Sequence, residues 1–141
     1  MKVLLDTTYL LPAVGIEIDV PGEVLEQLFS ANHLFILNEL SLFELFGKAS
    51  RHMAGNETAK KRFYTGMKSI LSSKIEFKPI FSLDTLPVVC ELHEQIKELP
   101  TCIIAATARV YADVLLTEAK DIPKLVDFDV MDLNQFVRRY L

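Results

Sequence analysis

The polarity of the chain switches abruptly near its start: Val3, Leu4 and Leu5 are apolar, and Asp6-Thr7-Thr8 follows at once. A short unbroken apolar run bounded by polar residues reads as a strand buried on both faces. The pattern returns at residues 33–37 (HLFIL) and 114–116 (VLL), and less regularly at 75–81 and 128–133. Helical spacing fills the intervals. Pro21-Gly22-Glu23 opens a helix bearing Val24, Leu25, Leu28 and Phe29, and Asn38 or Ser41 starts one bearing Leu42, Phe43, Leu45 and Phe46. Asn56 begins a basic helix with Phe63, Tyr64, Met67, Ile70 and Leu71 on one side. Ser82 or Asp84 caps a helix carrying Val88, Val89, Leu92, Ile96 and Leu99; residues 102–112 form one of small side chains, and 134–140 close the chain. A short helix through Pro12 and Ala13, capped by Thr7 or Thr8, ends near Gly15.

Strands alternating with helices specify a parallel sheet covered on both faces. The expected fold is therefore α/β, a three-layer α/β/α sandwich, with residues 1–141 forming a single domain. Half the residues are hydrophobic and only five are glycine, which excludes a disordered chain. No apolar run approaches the roughly 20 residues that span a bilayer. The first strand follows the initiator Met directly, which argues against a signal peptide, and two cysteines, Cys90 and Cys102, are too few for a disulfide framework. A reduced, cytoplasmic setting is the expectation.

The net charge of −4 is unevenly spread. Residues 48–78 hold eight bases against two acids, or +6, and the remainder holds seven against seventeen, or −10. A basic segment beside acidic ones can mark a polyanion face next to an acidic site, or simply a solvated lysine-rich helix. Lys60, Lys61, Arg62 and Lys68 are the candidate RNA contacts of that segment.

Three acids stand out. Asp6 directly follows a buried strand, where open α/β sheets place their ligand crevice; its alternative role is to cap the next helix. Glu44 is flanked by apolar residues, and Ser41-x-x-Glu44 also matches a capping box. Asp121 comes five residues after the run 114–116 and precedes Ile122-Pro123, where a turn or helix start uses Asp as readily. Carboxylates gathered on a sheet rim suit a hard divalent cation. Other chemistries lack a signature. There is no glycine-rich phosphate loop and no G-x-S-x-G elbow, and Cys90-x-x-His93 has no second half to complete a metal site. Most aromatic residues are Phe at core-like positions, so no stacking platform for bases is expected.

Four segments together carry a resemblance. MKVLLDTTYLLP, LNELSLFELFGKA, CIIAATARVYA and VLLTEAKDIPKL, in this order from Met1 to about Leu125, are similar to PIN-domain proteins, in particular small archaeal and bacterial members that include VapC-type toxins. The resemblance implies an endoribonuclease that uses one or two Mg²⁺ or Mn²⁺ ions, is homodimeric, and pairs with a small antitoxin protein. Asp6 matches the first acid of that family and Glu44 the second; Thr117 and Asp121 match its last segment, and Thr7 supports the site. The chain departs at two places: Thr101 stands where the family has the helix-starting Asp, and Ala119 where it has Asp or Asn after the last strand. A cation is held by summed charge, each carboxylate at about 4 Å contributing roughly 4 kcal/mol at an effective dielectric near 20. The expectation is a reduced site with a weakened or lost ion, serving either a specialised ribonuclease or a domain that binds RNA or protein without cleaving.

Overall fold

The computed structural model describes residues 1–141. Five strands, β1 (Lys2–Leu5), β2 (Leu34–Asn38), β3 (Glu76–Lys78), β4 (Val114–Leu116) and β5 (Val130–Met131), form one sheet in the order β3-β2-β1-β4-β5. Every pairing is parallel. Six α-helices connect or follow them: α1 (Gly22–Ser30), α2 (Glu39–Met53), α3 (Glu57–Leu71), α4 (Leu86–His93), α5 (Leu99–Tyr111) and α6 (Leu133–Tyr140). Two 3₁₀ segments, Thr7–Val14 and Ile122–Lys124, complete the order.

The apolar runs explain the layering. Successive strand residues point to opposite faces. Val3, Leu5, Phe35, Leu37, Val114 and Leu116 pack with Leu25, Leu28, Leu45, Phe63 and Phe136 on one side. Leu4, Ile36 and Leu115 pack with Ile104, Ala108 and Ile122 on the other. The expected three-layer α/β sandwich is the observed one. No helix is long and apolar enough to cross a membrane.

Several local expectations shift. The hydrogen-bonded part of the third strand is only Glu76–Lys78, because Pro79 has no amide for the ladder. The helix expected to reach Leu99 ends at His93, and α5 starts at Leu99 itself. Asp6, rather than Thr7 or Thr8, caps the Thr7–Val14 segment, accepting from the Thr7 amide, and Gly15 ends it at φ 91°. The Ser41–Glu44 capping box does not form. Asn38 caps α2 through the Leu40 amide, which leaves Ser41 inside the helix with a buried, unpaired hydroxyl. Phe43 and Phe46, expected in the core, are 74% and 53% exposed, and Tyr64 is 65% exposed. The 3.6-residue period turns Leu45 and Ala49 of α2 inward and Phe43 and Phe46 outward, and it turns Phe63 and Ile70 of α3 inward and Tyr64 outward.

Candidate functional site

The chain runs from β1 to β2 and β3 on one side and then crosses back to β4 and β5 on the other, so strand order reverses between β1 and β4. Ligands of open α/β sheets sit beyond the carboxyl ends of the strands at such a reversal. A pocket of about 210 Å³ opens there, lined by Asp6 and Thr8 after β1, Glu44 and Lys48 from α2, Pro100, Thr101 and Ile104 from α5, and Thr117, Ala119 and Ile122 after β4.

Each functional side chain is placed by a local reason. The Asp6 amide continues the ladder to Leu116 O at 3.0 Å, which fixes the backbone at the strand end. Oδ1 of Asp6 then accepts from the Thr7 amide, and Oδ2 accepts from the Thr117 hydroxyl, both at 2.7 Å. Thr117 Oγ1 also accepts from the Ala119 amide at 3.2 Å. Asn38, wholly buried at the end of β2, donates to Thr107 Oγ1 on α5 and to the Pro79 carbonyl, while its own carbonyl caps α2. A satisfied buried amide of this kind fixes the elements it joins. The start of α2, and with it Glu44, is thereby set against α5.

Glu44 is half-buried, and its carboxyl titrates above the usual range. Burial is the main cause and the Asp6 charge the second; Lys48 and the Thr7 hydroxyl pull in the other direction. Thr7 Oγ1 is itself buried and makes no hydrogen bond within accepted geometry, so an oxygen donor beside the two carboxylates is left without a partner.

The sequence-derived residues divide. Asp6, Glu44, Thr101 and Thr117 come together in the pocket. Asp121 is exposed and does not line it, although its neighbour Ile122 does. Lys60, Lys61, Arg62 and Lys68 lie on α3 away from the lining; Lys60 pairs with Glu57 at 3.2 Å and Lys68 sits over the Tyr64 ring. Two nearby acids are engaged or set apart. Glu118 accepts from Tyr9 Oη at 2.6 Å and from the Leu133 amide at 3.2 Å, and Glu98 precedes α5 without lining the pocket. Lys48 is the charged lining residue not singled out for the pocket, although its position four residues after Glu44 is the signal that places it there.

The donor set decides what ion could fit. Nowhere do three or more Asp, Glu, His or Cys side chains converge on a place that could hold a metal. Asp6 and Glu44, with the hydroxyls of Thr101 and Thr117, are hard oxygen donors, the class that Mg²⁺ or Mn²⁺ prefers. They do not suffice for two ions, since Lys48 already adds a positive charge to the pocket.

A second, larger cleft of about 1170 Å³ is apolar and contains no acid cluster; Leu10, Leu25, Phe29, Phe35, Ile70 and Ile75 are among its lining.

No family model and no curated protein matches the sequence. Solved structures do share its fold. A chain of the VapBC2 complex of Rickettsia felis, bound to a DNA fragment from its promoter, is 20% identical with a TM-score of 0.70, covering 94% of this chain and 98% of that one. A chain of FitAcB from Neisseria gonorrhoeae is 16% identical with a TM-score of 0.73, covering 93% and 97%. A chain of VapBC-1 from nontypeable Haemophilus influenzae is 15% identical with a TM-score of 0.68, covering 95% and 99%. The fold is the VapC-like, PIN-like one that the sequence resembles.

Proposed function

We propose that this chain is a toxin-like endoribonuclease that hydrolyses RNA phosphodiesters with a single Mg²⁺ or Mn²⁺ ion, held by Asp6 and Glu44. The observation that carries the reading is the apposition of these two carboxylates at the β1/β4 reversal, close enough for the Asp6 charge to hold back ionisation of Glu44. Two like charges kept together in a partly buried pocket are relieved by a cation. Asp6 and Glu44 would hold such an ion, and the chemistry it would supply there is charge neutralisation at the phosphate and acidification of water. The chain's own part is to hold Asp6 in one orientation through Thr117 and the Thr7 amide, and to present Glu44 from a helix fixed by Asn38. Asp121 adds negative charge from outside the lining.

The test is Mn²⁺-dependent cleavage of a mixed single-stranded RNA beside an Asp6→Asn control. Cleavage that disappears in the control is expected. A folded protein that cleaves nothing would end this reading.

A second reading has its own observation. Thr101 and Ala119 line the pocket where acids would complete it, and no cluster of three ligands exists. On that reading the domain binds RNA or protein without cleaving, and Thr101→Asp with Ala119→Asp confers a Mn²⁺ affinity that the natural chain lacks. No gain in the double variant counts against it.

One structural neighbour, from Klebsiella pneumoniae, is a toxin–antitoxin complex, and the apolar cleft between α1 and α3 offers a place for an antitoxin-type segment. The free chain is proposed to be a homodimer acting in the cytoplasm; light scattering that finds only monomer at high concentration would remove the dimer.

A further inference from the structure

One side chain in the acid pocket carries the opposite charge. Lys48 lies on α2 one turn beyond Glu44, and the two share the pocket lining with Asp6 and Thr101. Three ion pairs are present in the structure, Lys60–Glu57, Lys78–Glu76 and Arg109–Glu91, and Lys48 belongs to none of them. Its side chain is exposed, whereas Glu44 is half-buried. Lys48 therefore shares the pocket lining with two carboxylates, its charge acting on Glu44, without an ion pair to either.

We propose that Lys48 is the substrate-phosphate contact of this pocket, its ammonium donating to a non-bridging oxygen of the RNA phosphodiester presented to Asp6 and Glu44. The inference rests on the ribonucleolytic reading of the same site and names the group that receives the substrate. Lysine binds phosphate as a compact point charge, without the planar match that a bidentate arginine needs. Lys48 is the one cationic side chain in the pocket lining, so it is the group there that can attract a polyanion without help from a metal ion. Lys48 eases the ionisation of Glu44 by its charge without forming an ion pair with it, which leaves its ammonium donors free for another anion.

The experiment measures binding of a short fluorescent single-stranded RNA in EDTA over a salt series, for the wild type, Lys48→Met and Lys48→Arg. Mn²⁺ titrations of the same three proteins accompany it. Lys48→Met is expected to weaken RNA binding about five- to tenfold and to lower the salt slope by about 0.7, the value of one phosphate contact on a single strand. Lys48→Arg is expected to restore most of both. Mn²⁺ binding to Lys48→Met is expected to be as tight as, or tighter than, that of the wild type, because a repelling charge is gone. Wild-type affinity and slope in Lys48→Met would overturn the proposal, as would a wild type that binds no RNA. Weakened Mn²⁺ binding in Lys48→Met would also overturn it, since that marks a residue that organises the acids. The binding assay contains no metal, so absence of cleavage by the wild type sinks the catalytic reading without touching this result.

Discussion

The Thr117 hydroxyl donates a 2.7 Å hydrogen bond to Oδ2 of Asp6, joining the ends of β4 and β1, which are neighbours in the sheet. A threonine after one strand thus orients the acid after another. Thr117→Val keeps the shape and removes the donor. Hydrogen bonds to charged groups contribute about 1.5–3 kcal/mol. A stability loss of about 2 kcal/mol is expected in urea unfolding, with weaker Mn²⁺ binding and slower RNA cleavage; Thr117→Ser should recover both. Unchanged Mn²⁺ affinity in the Val variant would show that Asp6 holds its orientation alone.

Tyr9 and Glu118 make a comparable long-range link. The Tyr9 hydroxyl donates to Glu118 at 2.6 Å, and Glu118 also accepts from the Leu133 amide at the start of α6. Burial, then the Glu118 hydrogen bond and charge, hold the Tyr9 phenol protonated well above its usual range. Tyr9→Phe is expected to cost about 1.5–3 kcal/mol. Amide exchange should quicken first in α6, which depends on the shared carboxylate; uniform quickening across the chain would contradict that role.

Much of this architecture was legible in the residues, and the exceptions have physical reasons. The strands β1 and β4 stand out because both their faces are buried, which leaves unbroken apolar runs. Asp6 and Glu44 stand out because acids interrupt such surroundings at a cost. The Tyr9–Glu118 link could not be read, because no local pattern relates residues 109 positions apart. Glu118 is engaged by Tyr9 and the Leu133 amide, which draws it away from the acid pocket. Phe43 and Phe46 face outward, which the sequence does not show, because apolar residues on both sides of Glu44 leave the phase of the helix open; the buried Leu45 and Ala49 reveal it. Ser41-x-x-Glu44 imitates a capping box, yet Asn38 reaches the helix start first.

Gly66 marks where α3 meets the segment that follows Asp6. A Cβ at this position would collide with the backbone of Ala13 and Val14, neither of which can yield as a side chain tip can. Gly66→Ala is expected to destabilise by about 1–3 kcal/mol, the range for overpacking. Gly47, on the exposed face of α2, has nothing within 4 Å of its Cβ position. Gly47→Ala should stabilise by about 0.5–1 kcal/mol through the unfolded chain and helix propensity. Equal effects from the two substitutions would refute the contact.

Asp121 tests the boundary of the site. It is exposed and absent from the pocket lining, so Asp121→Asn should change cleavage no more than about threefold. That limit follows from one exposed charge contributing well under 1 kcal/mol. A loss of Mn²⁺ binding as large as that of Asp6→Asn would instead place it among the ligands.

Glu44 should reveal itself through a conflict between stability and binding. Its carboxyl titrates above the usual range, first because of burial and then because of Asp6. The folded state therefore holds the Glu44 proton more tightly than the unfolded state, and stability falls as pH rises through the titration of this group. Glu44→Gln keeps the shape and removes the charge. The variant is expected to be more stable than the wild type at pH 7, and the difference should vanish below the ordinary glutamate value near 4.5. Proton and cation compete for the same carboxylate, so wild-type Mn²⁺ affinity should rise with pH over that window while Glu44→Gln binds weakly throughout. Urea midpoints and Mn²⁺ titrations at pH 4, 5.5 and 7 check both halves. A Gln variant that is less stable than the wild type at pH 7 would mean that Glu44 is held by favourable partners, and that Asp6 and Glu44 do not strain one another.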